Sequence, residues 1–404
     1  MTLDATRDAA ALDAADPLRD LRSRFVGTET PLVYFDGNSL GRPLRATVDR
    51  LPSFVTEAWG GRLIRGWDEE WFKRPLTLGD EIGRIALGAA PGQVFVGDST
   101  TVMLYKLARA AVDAAPDRTE IVLDSDNFPT DRYILEGIAA ERGLSLRWIE
   151  ADPSAGVTPD QVREVAGERT ALVVLSHVAY RSAHLADGAG ITGIVHDAGG
   201  LMLWDLSHSV GSVPVDLDSW GADLAVGCTY KYLNGGPGAP AFGYVATRHL
   251  DTLTQPIQGW MGHAEPFLMG PGYTPAPSAR RFLSGTPAIV GMLAMQDMLA
   301  LIDSVGIDAV RAKSVALTSY AVELADELLA PLGVELASPR DADARGGHVT
   351  LRHERMEAVK DALWALDVIP DYRDPHGLRI GLSPLSTSFD EVRRGMLAIR
   401  DQLS

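Results

Sequence analysis

The chain has 404 residues, 46% hydrophobic and 23% charged, an ordinary globular balance and enough length for one large domain with a smaller one appended. A formal net charge of -17 argues against a nucleic-acid backbone or an anionic membrane as partner, because the average surface field repels both, so any bound anion must be held by a local arrangement. The single cysteine, Cys228, excludes an intrachain disulfide and a Cys-based metal cluster, and it fits a reducing cytoplasm.

Met1 to Asp20 is rich in Ala and Asp and lacks the basic patch and apolar core of a signal peptide. No stretch approaches the roughly 18 to 20 uninterrupted apolar residues of a membrane helix. The expectation is a cytoplasmic chain without membrane contact. From about Gln93 to Thr247, short apolar runs alternate with helical patterns, the signature of an α/β fold with a parallel sheet covered on both faces. Strands are expected at 94–97, 120–124, 172–176, 201–205, 224–229 and 241–245, with helices between them, for example at 101–115 and 132–142. The segment 255–287 is rich in Gly and Pro without a clean period, which predicts a long irregular stretch of the kind that often carries function. A helical pattern then runs from 289 to about 332, followed by a strand at 349–352, a helix at 356–366 and a strand at 378–381, a small α+β C-terminal domain. The expected division is an N-terminal arm and small-domain segment over 1–60, a large domain over 61–288, and a linking helix with the small domain over 289–404.

Two strands end in polar groups. One is Leu201-Met-Leu-Trp-Asp-Leu-Ser-His208, and the other opens Asp223-Leu-Ala-Val-Gly-Cys-Thr-Tyr-Lys231-Tyr-Leu-Asn-Gly-Gly-Pro-Gly238. In an open α/β sheet ligands sit at the carboxyl ends of the strands, so Asp205 and Lys231 are expected to face one crevice. Burying either alone is costly. A pyridoxal phosphate (PLP) cofactor would compensate both, Lys231 forming an imine and Asp205 pairing with the pyridine nitrogen; a structural salt bridge between the two explains the isolated pair equally well.

Gly97-Asp-Ser-Thr-Thr-Val102 follows a strand and opens a helix, where free amides and the Ser99, Thr100 and Thr101 hydroxyls could receive a phosphate or simply cap the helix. Asn127-Phe-Pro-Thr-Asp131 places the Phe128 ring at the same sheet edge, either stacked on a flat cofactor or tucked into the core. His208 could lie near the cofactor or cap its strand, and Ser176 ends its own strand at the same level.

Together with Tyr34-Phe-Asp-Gly-Asn-Ser-Leu-Gly41, Gln258-Gly-Trp-Met-Gly262, Phe282-Leu-Ser-Gly-Thr-Pro287 and Leu378-Arg-Ile-Gly-Leu-Ser-Pro384, these boxes occur in the order seen in kynureninases, and the chain resembles that family over nearly its whole length. The resemblance implies the PLP-dependent transferase fold type I, with a mostly parallel seven-stranded sheet in the large domain. It implies a homodimer with shared active sites and hydrolysis of L-kynurenine or 3-hydroxy-L-kynurenine to the corresponding anthranilate and L-alanine, within tryptophan catabolism and the kynurenine pathway that leads to NAD.

Carried over position by position, Lys231 is the Schiff-base lysine, Asp205 the pyridine partner, and Tyr230 a proton donor and phosphate contact. Phe128 stacks on the ring, with Thr100, Thr101, Pro129, Thr130, Asp131, Ser176 and His208 as further cofactor contacts. Trp260 and Thr286 reach the phosphate across the dimer interface, Arg379 grips the substrate carboxylate, and Asn38 and Ser39 line the substrate side. No metal is implied. The Asp-Glu-Glu run inside Arg65-Gly-Trp-Asp-Glu-Glu-Trp-Phe72 departs from the family's substrate-side loop, and Thr286 is asparagine in some relatives, so the preference between the two substrates stays open.

Three other readings compete. An aminotransferase would use the same lysine, aspartate and arginine. A cysteine desulfurase needs a mobile loop cysteine, whereas Cys228 sits in a buried strand pattern. A silent binding protein of the same fold would be expected to have lost Lys231, Asp205 or Arg379, and all three are present.

Overall fold

The structure, a computed structural model, describes residues 9–404, so the first 8 residues of the segment searched for targeting signals lie outside the described residues. The described residues begin with a helix, Ala9–Ala15, followed by a short strand β1 (Val33–Tyr34). The large sheet is built from β2 (Val94–Gly97), β3 (Glu120–Asp124), β4 (Ser145–Ile149), β5 (Thr170–Ser176), β6 (Leu201–Asp205), β7 (Leu224–Gly227) and β8 (Ala241–Val245). Their order is β2-β8-β7-β6-β5-β3-β4, and β8 runs antiparallel to both of its neighbours while the pairs from β7 to β4 are parallel.

Both faces of this sheet are covered, which is why its central strands read as continuous apolar runs. Val122, Val173, Leu175, Met202 and Trp204 point into one core, while Ile121, Leu123, Leu172, Val174 and Leu203 point into the other. The first core is closed by helices Gly188–Asp197 and Leu293–Val305, and the second by Thr100–Asp113 and Pro129–Arg142. The edge strand β4 escapes sequence detection because its first and central residues, Ser145 and Arg147, are exposed and only one neighbour pairs with it.

The remaining strands are β9 (Glu335–Leu336), β10 (His348–Arg352), β11 (Val368–Ile369), β12 (Asp371–Arg373) and β13 (Gly377–Gly381). Four of them form an antiparallel sheet in the order β12-β13-β10-β9, and β1 pairs in parallel with β11. Val33 and Phe35 share a core with Leu351, Ile380 and Met396, so the N-terminal segment folds onto the C-terminal sheet. The helical pattern expected over 289–332 is broken between Leu293–Val305 and Ile307–Leu324 at Gly306, whose φ of 82° a residue with a Cβ adopts only under strain. The segment 255–287 holds only two short 3₁₀ turns, Trp260–Gly262 and Ala279–Phe282. No single described helix is long and apolar enough to cross a membrane.

Candidate active site

Parallel pairing sets the site's floor. β5 and β6 end level with each other, Ser176 opposite Asp205, and β7 lies beside β6. The expected strand 224–229 stops at Gly227 because the Cys228 amide donates to Ser207 Oγ (3.2 Å) instead of continuing the ladder. That release turns Thr229, Tyr230 and Lys231 across the strand ends.

Lys231 is buried, and its Nζ lies 3.3 Å from His208 Nε2 and 5.9 Å from the Phe128 ring centroid. No ion pair joins it to Asp205 among the described residues, so the structural salt bridge is not formed. Asp205 Oδ1 accepts the Ser207 amide at 2.8 Å. His208 is held well below the ordinary imidazole range by burial and then by the Lys231 and Arg379 charges, so it faces the lysine as a neutral ring. Asp131, one helical turn from Phe128, is fully enclosed; burial, then the carboxylates of Asp205 and Asp124, push its carboxyl well above the usual range against the pull of Lys231. Its Oδ2 is buried with no partner.

Asn127 locks this edge. Its Oδ1 accepts from the Phe128 amide (2.8 Å) and from Ser176 Oγ (3.0 Å), and its Nδ2 donates to the Val174 carbonyl (3.3 Å). The Phe128 ring is held edge-on by Tyr180, centroids 5.4 Å apart. Pro129 and Thr130 form the first turn of the helix that carries Asp131. Across the floor, Thr100 and Thr101 open helix Thr100–Asp113, whose cap Ser99 accepts the Val102 amide at 3.4 Å; Thr101 is exposed. Burial, then the neighbouring Cys228, push the half-buried Tyr230 phenol above its ordinary value, which keeps it protonated.

The N-terminal segment docks onto the lysine turn. Gly41 donates to the Tyr230 carbonyl (2.9 Å), and Asn234 Nδ2 donates to the Arg42 carbonyl (2.6 Å). A Cβ on Gly41 would fall 2.4 Å from the Lys231 carbonyl oxygen, so only glycine permits this approach. Asn38 is thereby buried with both amide atoms unpartnered, and Ser39 Oγ accepts from Arg379 Nη2 at 3.0 Å. Arg379 on β13 is not the exposed surface arginine its residue type would suggest: it is 1% exposed, donates to the Tyr180 carbonyl at 2.8 Å and pairs with Asp371.

Lys231, Asp205, His208, Phe128, Asp131, Ser176, Asn38, Ser39 and Arg379 are therefore gathered around one crevice. Trp260 and Thr286 are not gathered with them. Trp260 stands edge-on to Trp67, centroids 6.3 Å apart, and Thr286 is exposed. Sequence reasoning missed Asn127, Tyr180, His348, Asp371 and Lys106. His348 faces the His208 ring at 5.7 Å. Lys106 binds Asp98 (2.6 Å), the Phe282 carbonyl and Ser284, tying the helix that starts at Thr100 to the loop that carries Thr286. Asp371 was within reach of a pattern argument, since Pro375-His-Gly377 marks a turn that sets 371 opposite 379.

The donor set fits PLP. A buried lysine has a neutral histidine as its polar neighbour, an aspartate oxygen beside it lacks a hydrogen-bond partner, and an aromatic ring and a helix N-terminus lie at the same strand ends. Cys228 is buried near the Ser207 carbonyl with its thiol pushed up by burial, which does not suit a mobile persulfide carrier.

In backbone geometry the chain is similar to an apo cysteine desulfurase from Thermococcus onnurineus NA1, with a TM-score of 0.81 at 18% identity over 95% of this chain and 97% of that one. It is equally similar, with a TM-score of 0.81 at 16% identity over 94% and 99% of the two chains, to a C-DES mutant solved with glycine covalently linked to its PLP cofactor. These likenesses establish the PLP fold type I architecture. A family model described as the kynureninase C-terminal domain matches residues 310–399. The kynureninase of Burkholderia pseudomallei (strain 1106a) is 41% identical over 403 residues, 98% of this chain and 95% of that protein, and that of Pseudomonas fluorescens 39% identical over 392 residues, 95% and 92% of the two. Kinship at this level along almost the whole of both partners cannot come from the fold alone, and the chain belongs to the kynureninase family.

Proposed function

We propose that this crevice hydrolyses the carbon-carbon bond beside the side-chain ketone of L-kynurenine, giving anthranilate and L-alanine, with PLP as cofactor. The observation that carries the reading is the identity of 39–41% over nearly the full length of curated kynureninases. PLP, when bound, supplies an electron sink for the pair released at the substrate α-carbon. In our reading Lys231 would tether it, Phe128 would stack on its ring, and Asp205 with Asp131 would pair with its pyridine nitrogen. The amides and hydroxyls of Thr100 and Thr101 with Tyr230 hold its phosphate, and Pro129, Thr130, Ser176 and His208 complete the seat.

Arg379 receives the α-carboxylate, and Asn38 and Ser39 border the substrate. Lys231, with its amine free, would remove the α-proton, and the neutral imidazole of His208 beside it adds no competing positive charge. Water adds to the side-chain ketone, and as the bond beside it breaks the protonated Tyr230 phenol would supply the proton to the β-carbon that becomes the methyl group of alanine.

We also read a homodimer in which Trp260 and Thr286 serve the partner's phosphate. An unbroken series of ring contacts runs Phe54, Trp71, Trp67, Trp260, Phe267 and Phe72, and Leu63, Ile64, Leu268 and Met269 beside it are 57–77% exposed. The shared core of Val33, Phe35, Leu351 and Ile380 supports joining residues 1–60 to the small domain at 289–404, with 61–288 as the large one. A cytoplasmic setting is proposed on the lone, buried Cys228, which calls for no oxidising compartment.

The test supplies purified protein with PLP and L-kynurenine and follows anthranilate by fluorescence and alanine by chromatography. Equal formation of both is expected. Conversion of the cofactor to its amine form, with L-kynurenine deaminated to its 2-oxo acid and no anthranilate formed, would instead establish an aminotransferase. Repeating the assay with 3-hydroxy-L-kynurenine sets the preference.

A further inference from the structure

The β12–β13 hairpin places Asp371 directly across from Arg379. Arg379 Nη2 carries two acceptors, Ser39 Oγ at 3.0 Å and Asp371 Oδ2. Nη1 donates to the Tyr180 carbonyl (2.8 Å), and Nε is buried with no partner. A guanidinium has two edges that can grip a carboxylate with two parallel bonds, Nε with Nη2 and Nη1 with Nη2. Both use Nη2. An incoming α-carboxylate therefore gains a two-point grip only if one acceptor gives way, and Asp371 is the one that also repels it.

Asp371 has somewhere to go. Arg373 Nη2 lies 3.0 Å from the same Oδ2, and the Arg373 side chain is 39% exposed while that of Arg379 is 2% exposed. The aspartate thus bridges a buried arginine and a rim arginine. A buried guanidinium without a counter-charge is costly, which accounts for a carboxylate at this position until a substrate brings its own.

We propose that Asp371 is a specificity-determining residue, an internal competitor that holds Nη2 of Arg379 and yields it to the α-carboxylate of an amino-acid substrate while Arg373 retains the displaced side chain. This rests on the reading of Arg379 as the carboxylate grip. A ligand offering a carboxylate alone exchanges one charge-assisted bond for another and gains little. One that also reaches Lys231 and the aryl pocket overcomes the exchange.

The experiment uses the PLP-loaded enzyme and compares Asp371→Asn, Arg373→Gln and Arg379→Gln. It measures kcat and KM for L-kynurenine, the dissociation constant of L-alanine from the cofactor absorbance, and inhibition by 2-aminoacetophenone, an aryl ketone with no α-carboxylate. Asp371→Asn keeps the shape and an acceptor but removes the charge, so KM and the alanine constant are expected to fall about tenfold with kcat within about twofold. Arg373→Gln leaves the aspartate no second partner, and KM is expected to rise about threefold. Inhibition by 2-aminoacetophenone should not change in either. Opposite signs in the two variants are what a merely structural pair would not give.

A KM that rises in Asp371→Asn, or an Arg373→Gln enzyme with unchanged KM, overturns the proposal, the second arm standing even where the first variant fails to fold. Arg379→Gln separates the two levels. If it leaves alanine affinity intact, the grip reading fails and the competitor with it; if alanine weakens there and Asp371→Asn binds it no tighter, the competitor alone fails.

Discussion

Lys231 is a buried amine whose polar neighbour is a neutral imidazole at 3.3 Å, with no carboxylate bonded to it among the described residues, which is not how a purely structural lysine is held. Its replacement should therefore be tolerated by the fold and not by the chemistry. Lys231→Ala is expected to bind PLP without the lysine-linked absorbance band and to lose at least about 10²- to 10⁴-fold in turnover, read by anthranilate fluorescence. Normal turnover in that variant would remove the central assignment. Tyr230→Phe isolates the phenol: kcat should fall about 10²-fold with little change in KM, because the hydroxyl acts on a proton and not on substrate affinity. A variant that instead raises KM alone would make Tyr230 a binding group. At this scale the sequence was informative wherever a motif ended a strand, as at Ser176, Asp205 and Phe128. It was silent about Tyr180, which works through its ring on Phe128 and its carbonyl on Arg379, because a backbone acceptor leaves no residue signature.

Elements were legible in proportion to their burial. Fully enclosed strands such as Thr170–Ser176 announce themselves as apolar runs, whereas the half-exposed Ser145–Ile149 does not. Two charged anchors that fix elements were also invisible, because each gains its meaning from partners far along the chain. Asp223, before β7, accepts from the Met202 amide, His196, His249 and Arg248 at 2.6–2.8 Å. Burial alone would push its carboxyl up, but the bonds from His249, the Met202 amide, His196 and Arg248 outweigh it and bring the value down to about 2. A folded value below the unfolded one means stability that is present above about pH 4 and lost as pH falls towards 2, worth about 2 kcal/mol at neutral pH. In urea denaturation, Asp223→Asn should cost about that much at pH 7, with the gap to the parent narrowing near pH 3. A constant gap would place the effect in packing. Lys106 is the second anchor, and Lys106→Met, which strands Asp98 and the Phe282 carbonyl, should destabilise by about 3 kcal/mol and weaken PLP binding by loosening both loops it joins. Unchanged PLP affinity would confine it to stability.

The whole molecule presents one face that a solitary chain does not explain. Leu63 and Ile64 are 57% and 77% exposed, Phe267, Leu268 and Met269 60–77%, and the ring series through Trp67 and Trp260 connects the two groups. Leaving such side chains in water forgoes about 1.5–3 kcal/mol each relative to full burial, so a handful of them suffices to drive association of two identical patches around a two-fold axis. The net charge of -17 opposes that association only weakly at physiological salt, where the Debye length is about 8 Å, and the patch itself is apolar. The reading of Trp260 and Thr286 as groups that serve a partner's phosphate then makes a prediction about function, since neither is gathered at the chain's own Lys231. Ile64→Asp combined with Leu268→Asp should convert the species seen in sedimentation velocity from dimer to monomer, and PLP affinity should fall at least about tenfold as contacts from the partner are lost. Raising the protein concentration should restore both together, because the same equilibrium governs them. A variant that is monomeric yet retains full PLP affinity would confine the cofactor seat to a single chain and return Trp260 and Thr286 to a purely structural role.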